Sequence, residues 1–124
     1  MYLKPRYNPK LKRSRSKYGN KKTTIHGITF DSKWESERYL YLKSLEKAGR
    51  IKDLELQPRY NILVNNQKIC AYVADFKYNK ENADGVWEHI VEDAKGVETP
   101  EFKLKKKLMK AVFDIEIYLS KKNS

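Results

Sequence analysis

Residues 89–102 read HIVEDAKGVETPEF, and in them Glu92, Asp93 and Lys95 follow directly on Ile90 and Val91, two residues suited to a buried strand. Strand alternation places Asp93 and Lys95 on one face with Val91 and turns Glu92 to the other. Asp75 lies in the preceding strand, inside AYVADFKY, and a short turn joins the two segments. As antiparallel neighbours, Asp75 and Asp93 converge if they project from the same face. Converging carboxylates repel unless a cation lies between them. Mg²⁺ meets that need with one or two carboxylates, waters and the phosphate oxygens of a substrate. Such an ion acidifies a bound water and offsets charge developing on a phosphate. A lysine beside it orients the water and stabilises the transition state. The chemistry on offer is therefore metal-dependent phosphodiester hydrolysis. The acid-x-lysine pattern is weak by itself, because it also occurs at Asp31–Lys33, Asp75–Lys77 and Glu101–Lys103. Read alone, Asp93–Lys95 is equally compatible with a solvated surface pair worth about 0–1 kcal/mol.

The elements that must position these residues are legible in outline. Gly27 to Phe30 leads into DSKWESERYLYLKSLEKAG, where Asp31 or Ser32 caps a helix and Gly49 ends it in the left-handed conformation. Trp34, Arg38, Tyr41, Leu45 and Ala48 fall on one stripe of that helix and are expected to face the core. A strand is expected around Tyr60–Val64, then an Asn65-Asn66 turn, a second strand over KICAYVADFKYN with Tyr72 and Phe76 packed opposite Asp75, and a turn ending in Asp84-Gly85. VWEHIVEDAKG is the third strand. Thr99 caps a helix with Pro100 in its first turn, running through EFKLKKKLMKAV. Phe113, Ile115, Ile117 and Leu119 alternate with Asp114, Glu116 and Tyr118 as a last strand. The expected order is α-β-β-β-α-β, an α/β fold with a central mixed sheet flanked by helices.

Charge is unevenly placed over the 124 residues. Positions 1–22 carry Lys4, Arg6, Lys10, Lys12, Arg13, Arg15, Lys17, Lys21 and Lys22 with no acid, and so account for most of the net +11. A basic arm with interleaved tyrosines is too polar to fold alone and suits phosphate binding, since each neutralised phosphate releases counterions. Residues 23–120 are expected to form one domain, followed by a short tail at 121–124. Lys103, Lys106, Lys107 and Lys110 share one helix face and extend the expected DNA-backbone contact. Cys70 stands alone and the only histidines are His26 and His89, which argues against a disulfide and against a protein-only zinc site. No apolar run reaches the roughly 20 residues of a membrane helix, so a cytoplasmic location is expected.

SKWESERY, YVADF and VEDAKG, in this order on α-β-β-β-α-β, resemble the PD-(D/E)XK nuclease superfamily. More closely, the run from YGNKKTTIHGITFDSKWESERYLYLKSLEKAGRIKDLELQP through YVADF and VEDAKG to TPEFKLKKKL is similar to small phage-encoded endodeoxyribonucleases akin to Holliday-junction resolvases. The resemblance covers roughly residues 18–112 and implies a restriction-endonuclease-like core. It implies Asp75 and Asp93 as metal ligands, the backbone carbonyl of Ala94 as a further ligand, Lys95 as the catalytic lysine, and Mg²⁺ as cofactor with Mn²⁺ as substitute. It also selects Glu35, acting directly or through a water, over Glu37; periodicity puts the two on opposite margins of the apolar stripe and does not choose. Glu37 is then expected to form a salt bridge. Gln57 before Pro58 matches the QP of that family and is an accessory candidate, although a strand-capping role suits it as well. Ala74 stands where the superfamily's name has proline.

The implied activity is hydrolysis of DNA, with a preference for branched or junction structures and a homodimer for paired cleavage. The competing reading is a non-catalytic basic DNA- or RNA-binding protein. It accounts for the charge but not for Glu35, Asp75, Asp93 and Lys95 occurring together in that order.

Overall fold

The computed structural model describes residues 22–95 and 97–121. Two short strands, β1 (Thr23–Ile25) and β2 (Ile28–Phe30), pair as an antiparallel hairpin ahead of helix α1 (Lys33–Lys47). Ser32 caps α1 by accepting the Glu35 N–H, and Gly49 follows the helix at φ 79°, the left-handed turn its type and position suggest. Then come β3 (Ile51–Leu56), β4 (Arg59–Val64), β5 (Gln67–Val73), β6 (Phe76–Glu81), β7 (Trp87–Ala94), α2 (Pro100–Phe113) and β8 (Tyr118–Ser120).

Among the described residues the fold is α/β with a mixed sheet and two helices. Its main sheet has the order β3-β6-β7-β8, antiparallel except for the parallel pair β7–β8 that the α2 crossover requires. Two cores lie on opposite faces of this sheet. Phe30, Tyr39, Leu42, Ile51, Phe76 and Tyr78 pack together on the α1 side, and Ile62, Tyr72, Ala74, Val91, Phe102, Met109 and Ile117 on the α2 side.

Four expectations need correction. An extra strand, β3, precedes the one expected at Tyr60–Val64, so the main sheet starts earlier in the chain. The single strand expected over KICAYVADFKYN is divided into β5 and β6 at Ala74–Asp75, and Tyr72 and Phe76 consequently enter different cores. The buried stripe of α1 is Glu35, Ser36, Tyr39 and Leu42; Tyr41 and Ala48 are exposed. Tyr39 and Leu42 fill the core facing Phe76 and Tyr78, while Trp34 reaches the sheet edge and donates its indole N–H to the Ser120 carbonyl at 2.9 Å. Finally, Phe113 ends α2 rather than opening a strand. Asp114 adopts φ 57° after it, and its N–H bonds back to the Lys110 and Met109 carbonyls, which leaves only Tyr118–Ser120 paired.

β3–β4 and β5–β6 form one long hairpin with a bend. Leu56 pairs with Phe76 and Arg59 with Val73, and between them Gln57 N–H donates to the Asp75 carbonyl (2.9 Å) and Ala74 N–H to the Pro58 carbonyl (3.1 Å). The ladder therefore passes through both gaps without a slip. Gln57 sits at φ 54° and Pro58 lacks an N–H, so the chain turns out of the main sheet here and continues as the β4–β5 ribbon. Asn65 and Asn66, both left-handed at φ 51° and 66°, close the ribbon's tip as their types predict.

Candidate active site

The bend delivers Asp75 to the end of the main sheet. β6 pairs with β7 from Glu81↔Trp87 to Phe76↔Glu92, and Asp75 N–H donates to the Glu92 carbonyl at 3.1 Å. One further step in this register sets Asp75 opposite Asp93. Glu35 arrives from the first turn of α1. All three carboxylates are buried, with exposures of 4% for Glu35, 6% for Asp75 and 3% for Asp93. Burial, then the charges of Glu35 and Asp93 and a hydrogen bond with Asp93, push the Asp75 carboxyl well above the usual carboxylate range. Opposing them is the Ala94 N–H, which donates to Asp75 Oδ2 at 2.8 Å.

Asp93 has a different shell. Its Oδ2 accepts from the Tyr72 hydroxyl, and its Oδ1 lies 3.6 Å from the Lys95 ammonium. Lys95 is half-buried, with its ammonium 4.8 Å from the centre of the Phe102 ring. Phe102 comes from the first turn of α2, where Thr99 caps the helix by accepting the Phe102 N–H at 3.1 Å. The lysine is thus held between a carboxylate and an aromatic face at the rim of the acidic cluster.

Strand alternation holds across this segment. Glu92 points away from Asp93 and is fully buried on the α1 side, where Arg38 engages it with two hydrogen bonds (2.7 and 2.9 Å) and the Tyr78 hydroxyl donates at 2.6 Å. Burial works against the Arg38 charge, but the bond and attraction to Glu92 outweigh it and raise the guanidinium pKa.

The residues named from sequence divide clearly. Glu35, Asp75, Asp93, Ala94 and Lys95 meet at one end of the sheet. Ala94 enters through its N–H, a contact the sequence did not suggest. Gln57 is 7% exposed and touches Asp75 through its backbone, so it both shapes the bend and flanks the cluster. Glu37 is half-buried and makes no ion pair among the described residues, contrary to expectation. Lys103, Lys107 and Lys110 are exposed and Lys106 half-buried on α2; Lys110 pairs with Asp114 at 2.7 Å. Of the arm, Lys10, Lys12, Arg13, Arg15, Lys17 and Lys21 lie outside the described residues. Lys22 lies 3.8 Å from Asp31. Sequence reasoning missed Tyr72 and Phe102 at the site; the available signal was a tyrosine within the apolar run of residues 69–74, whose hydroxyl needs a partner when buried.

Among the described residues, no three His, Cys, Asp or Glu side chains form a complete metal-ligand set. Mg²⁺ does not need one. Oxygen-only donors, two opposed carboxylates and a local excess of buried negative charge fit a hard divalent cation that keeps several waters.

A family described as "Protein of unknown function (DUF1064)" matches residues 15–122. The chain belongs to this family. No curated protein and no solved structure matches it. The matched stretch contains every element described above and the whole acidic cluster. No described helix is long and apolar enough to cross a membrane.

Proposed function

We propose that this DUF1064 chain is a Mg²⁺-dependent endodeoxyribonuclease built on a restriction-endonuclease-like core. The observation that carries the reading is the burial of Glu35, Asp75 and Asp93 together at a sheet end, with Lys95 at their rim. Such a cluster is costly to fold unless something cationic uses it.

Asp75, Asp93 and the Ala94 carbonyl would hold the ion, with Glu35 bound directly or through a water. The bound ion supplies Lewis acidity, a lowered water pKa and neutralisation of phosphate charge. Lys95 stands at the rim of the cluster, its ammonium suited to orienting an attacking water and to stabilising charge on the phosphate. Its pairing with Asp93 and Phe102 keeps it within reach of that position. The lysines of α2, with the basic arm, would bind DNA backbone, which sets register without reading sequence. Contacts made to the backbone alone suit recognition of DNA shape, such as a branch or junction. Paired cleavage of a junction calls for a homodimer.

The deciding experiment is cleavage of supercoiled plasmid and of a four-way junction with Mg²⁺, with Mn²⁺, and with EDTA. Cleavage with either cation and none with EDTA supports the proposal. Metal-free cleavage, or no cleavage of any DNA form, overturns it in favour of a non-catalytic DNA- or RNA-binding protein.

A further inference from the structure

The acidic cluster treats its two aspartates differently. Besides the hydrogen bond between them, Asp75 is bonded by the Ala94 N–H, whereas Asp93 is bonded by the Tyr72 hydroxyl, a side chain that nothing in the proposed chemistry calls for. Tyr72 is 3% exposed, and its ring lies among Tyr60 (6.4 Å between centroids) and Phe102 (6.3 Å) in the α2-side core. From that fixed position its hydroxyl donates to Asp93 Oδ2, while Lys95 lies on Oδ1. Tyr72 and Lys95 thus take different oxygens of one carboxylate. One partner is immobilised by packing; the other is a half-buried lysine on a flexible stem.

We propose that Tyr72 is a positioning residue of the cation site: by holding Asp93 Oδ2, it makes Oδ1 the oxygen presented to the cation. This rests on the reading of the cluster as a divalent-metal site. A carboxylate free to rotate about its terminal bond offers either oxygen, or both, to an ion; a clamped one offers a single oxygen in a single direction. Outer-shell partners of this kind fix ligand geometry, and their loss typically weakens metal binding about 10–100-fold. Phe102 links the same arrangement to α2, since its ring touches both the Tyr72 ring and the Lys95 ammonium. The protein also contains its own control. On the opposite face Tyr78 donates to Glu92, the residue next to Asp93, but that carboxylate is already neutralised by Arg38.

The test is Mn²⁺ binding to the full chain without DNA, followed by electron paramagnetic resonance, in wild type, Tyr72→Phe and Tyr78→Phe. Tyr72→Phe keeps the ring and removes one oxygen. Its Mn²⁺ affinity is expected to fall about tenfold, with Tyr78→Phe unchanged. A second measurement needs no variant: with ¹³C-labelled tyrosine, Mg²⁺ titration should shift the Tyr72 Cζ resonance and leave that of Tyr78 in place. Should Tyr72→Phe fail to fold, this titration decides. Wild-type affinity in Tyr72→Phe, an equal loss in both variants, or a Tyr72 resonance indifferent to Mg²⁺ overturns the role of Tyr72 while the metal site stands. A wild-type protein that binds no Mn²⁺ overturns the metal site and this proposal together.

Discussion

Arg38 and Glu92 join helix α1 to strand β7 through two charge-assisted hydrogen bonds of 2.7 and 2.9 Å. Their neighbours in sequence are what make this contact matter. Glu35 precedes Arg38 by about one helical turn, and Asp93 follows Glu92, so docking Arg38 on Glu92 brings Glu35 toward the acidic cluster. The ion pair is a structural pin for a site it does not enter.

Breaking that pin should destabilise the protein severely. Removing one partner leaves the other charge buried, a loss of about 3–5 kcal/mol for Arg38→Met or Glu92→Leu. Tyr78→Phe removes one hydrogen bond to the same carboxylate and should cost about 1–2 kcal/mol. Urea denaturation gives all three values. A loss below ~1 kcal/mol for Arg38→Met would show that the pair is not what anchors α1.

The acidic residues should behave oppositely, contributing activity but not stability. Asp75→Ala, Asp93→Ala and Lys95→Ala are expected to abolish cleavage with DNA affinity largely retained, because affinity comes from phosphate contacts elsewhere. Glu35→Ala should impair cleavage far more than Glu37→Ala, since Glu35 is buried beside Asp75 and Glu37 stands at the helix margin. Plasmid nicking and gel-shift assays separate the two readouts. Appreciable Mg²⁺-dependent cleavage by Asp93→Ala would place the chemistry elsewhere.

Asp75 makes the apo protein pay for its site in stability. Its folded pKa lies well above the ordinary value near 3.8, so at pH values between the two the native state holds a proton that the unfolded chain has lost. The stability this proton contributes is complete below that ordinary value and is lost as pH rises through the folded pKa. Near neutrality Asp75→Asn, which mimics the protonated group and can still accept from the Ala94 N–H, should therefore stabilise the apo protein by about 1 kcal/mol. Mg²⁺ at ten times its Kd should raise wild-type stability by about 1.4 kcal/mol and leave Asp75→Asn nearly unmoved. Thermal melts at neutral pH, with EDTA and with Mg²⁺, test both halves. A destabilised Asp75→Asn would mean that the carboxylate is already well compensated.

How much of this was legible in the sequence follows from which signals are local. The caps at Ser32 and Thr99, the left-handed Gly49 and the Asn65-Asn66 turn depend on a few adjacent residues and were readable. The approach of Asp75 to Asp93 was readable only on the condition that both project from one face, because a short turn makes their strands antiparallel neighbours without fixing that face. The bend at Gln57–Pro58 against Ala74–Asp75 was not, since it arises between segments far apart in the chain. A buried, left-handed Gln57 has no local signature. The helix stripe misled because Trp34 and Tyr41 outweigh Tyr39 and Leu42 in apolar bulk. The packing instead follows the sheet, which buries Glu35 and Ser36 on the inner face. A carboxylate in that stripe reads as an error by apolar pattern alone, and such local conflicts are expected where a site lies.

The lysine face of α2 should carry part of the DNA affinity. Lys103 and Lys107 are exposed and Lys106 half-buried beside them, with no ion pair of their own among the described residues, whereas Lys110 is paired with Asp114. Lys103→Gln, Lys106→Gln and Lys107→Gln together should therefore remove more binding than Lys110→Gln alone. If all three touch phosphates, the slope of log K against log salt should shrink by about 2–3, at ~0.9 per contact on duplex DNA. Cleavage of bound DNA at saturating protein should persist, because these side chains sit on the helix face and not in the acidic cluster. Fluorescence anisotropy with duplex and junction DNA over a salt series measures the slope directly. An unchanged slope in the triple variant would mean that this face of α2 is solvated and that DNA meets the protein elsewhere.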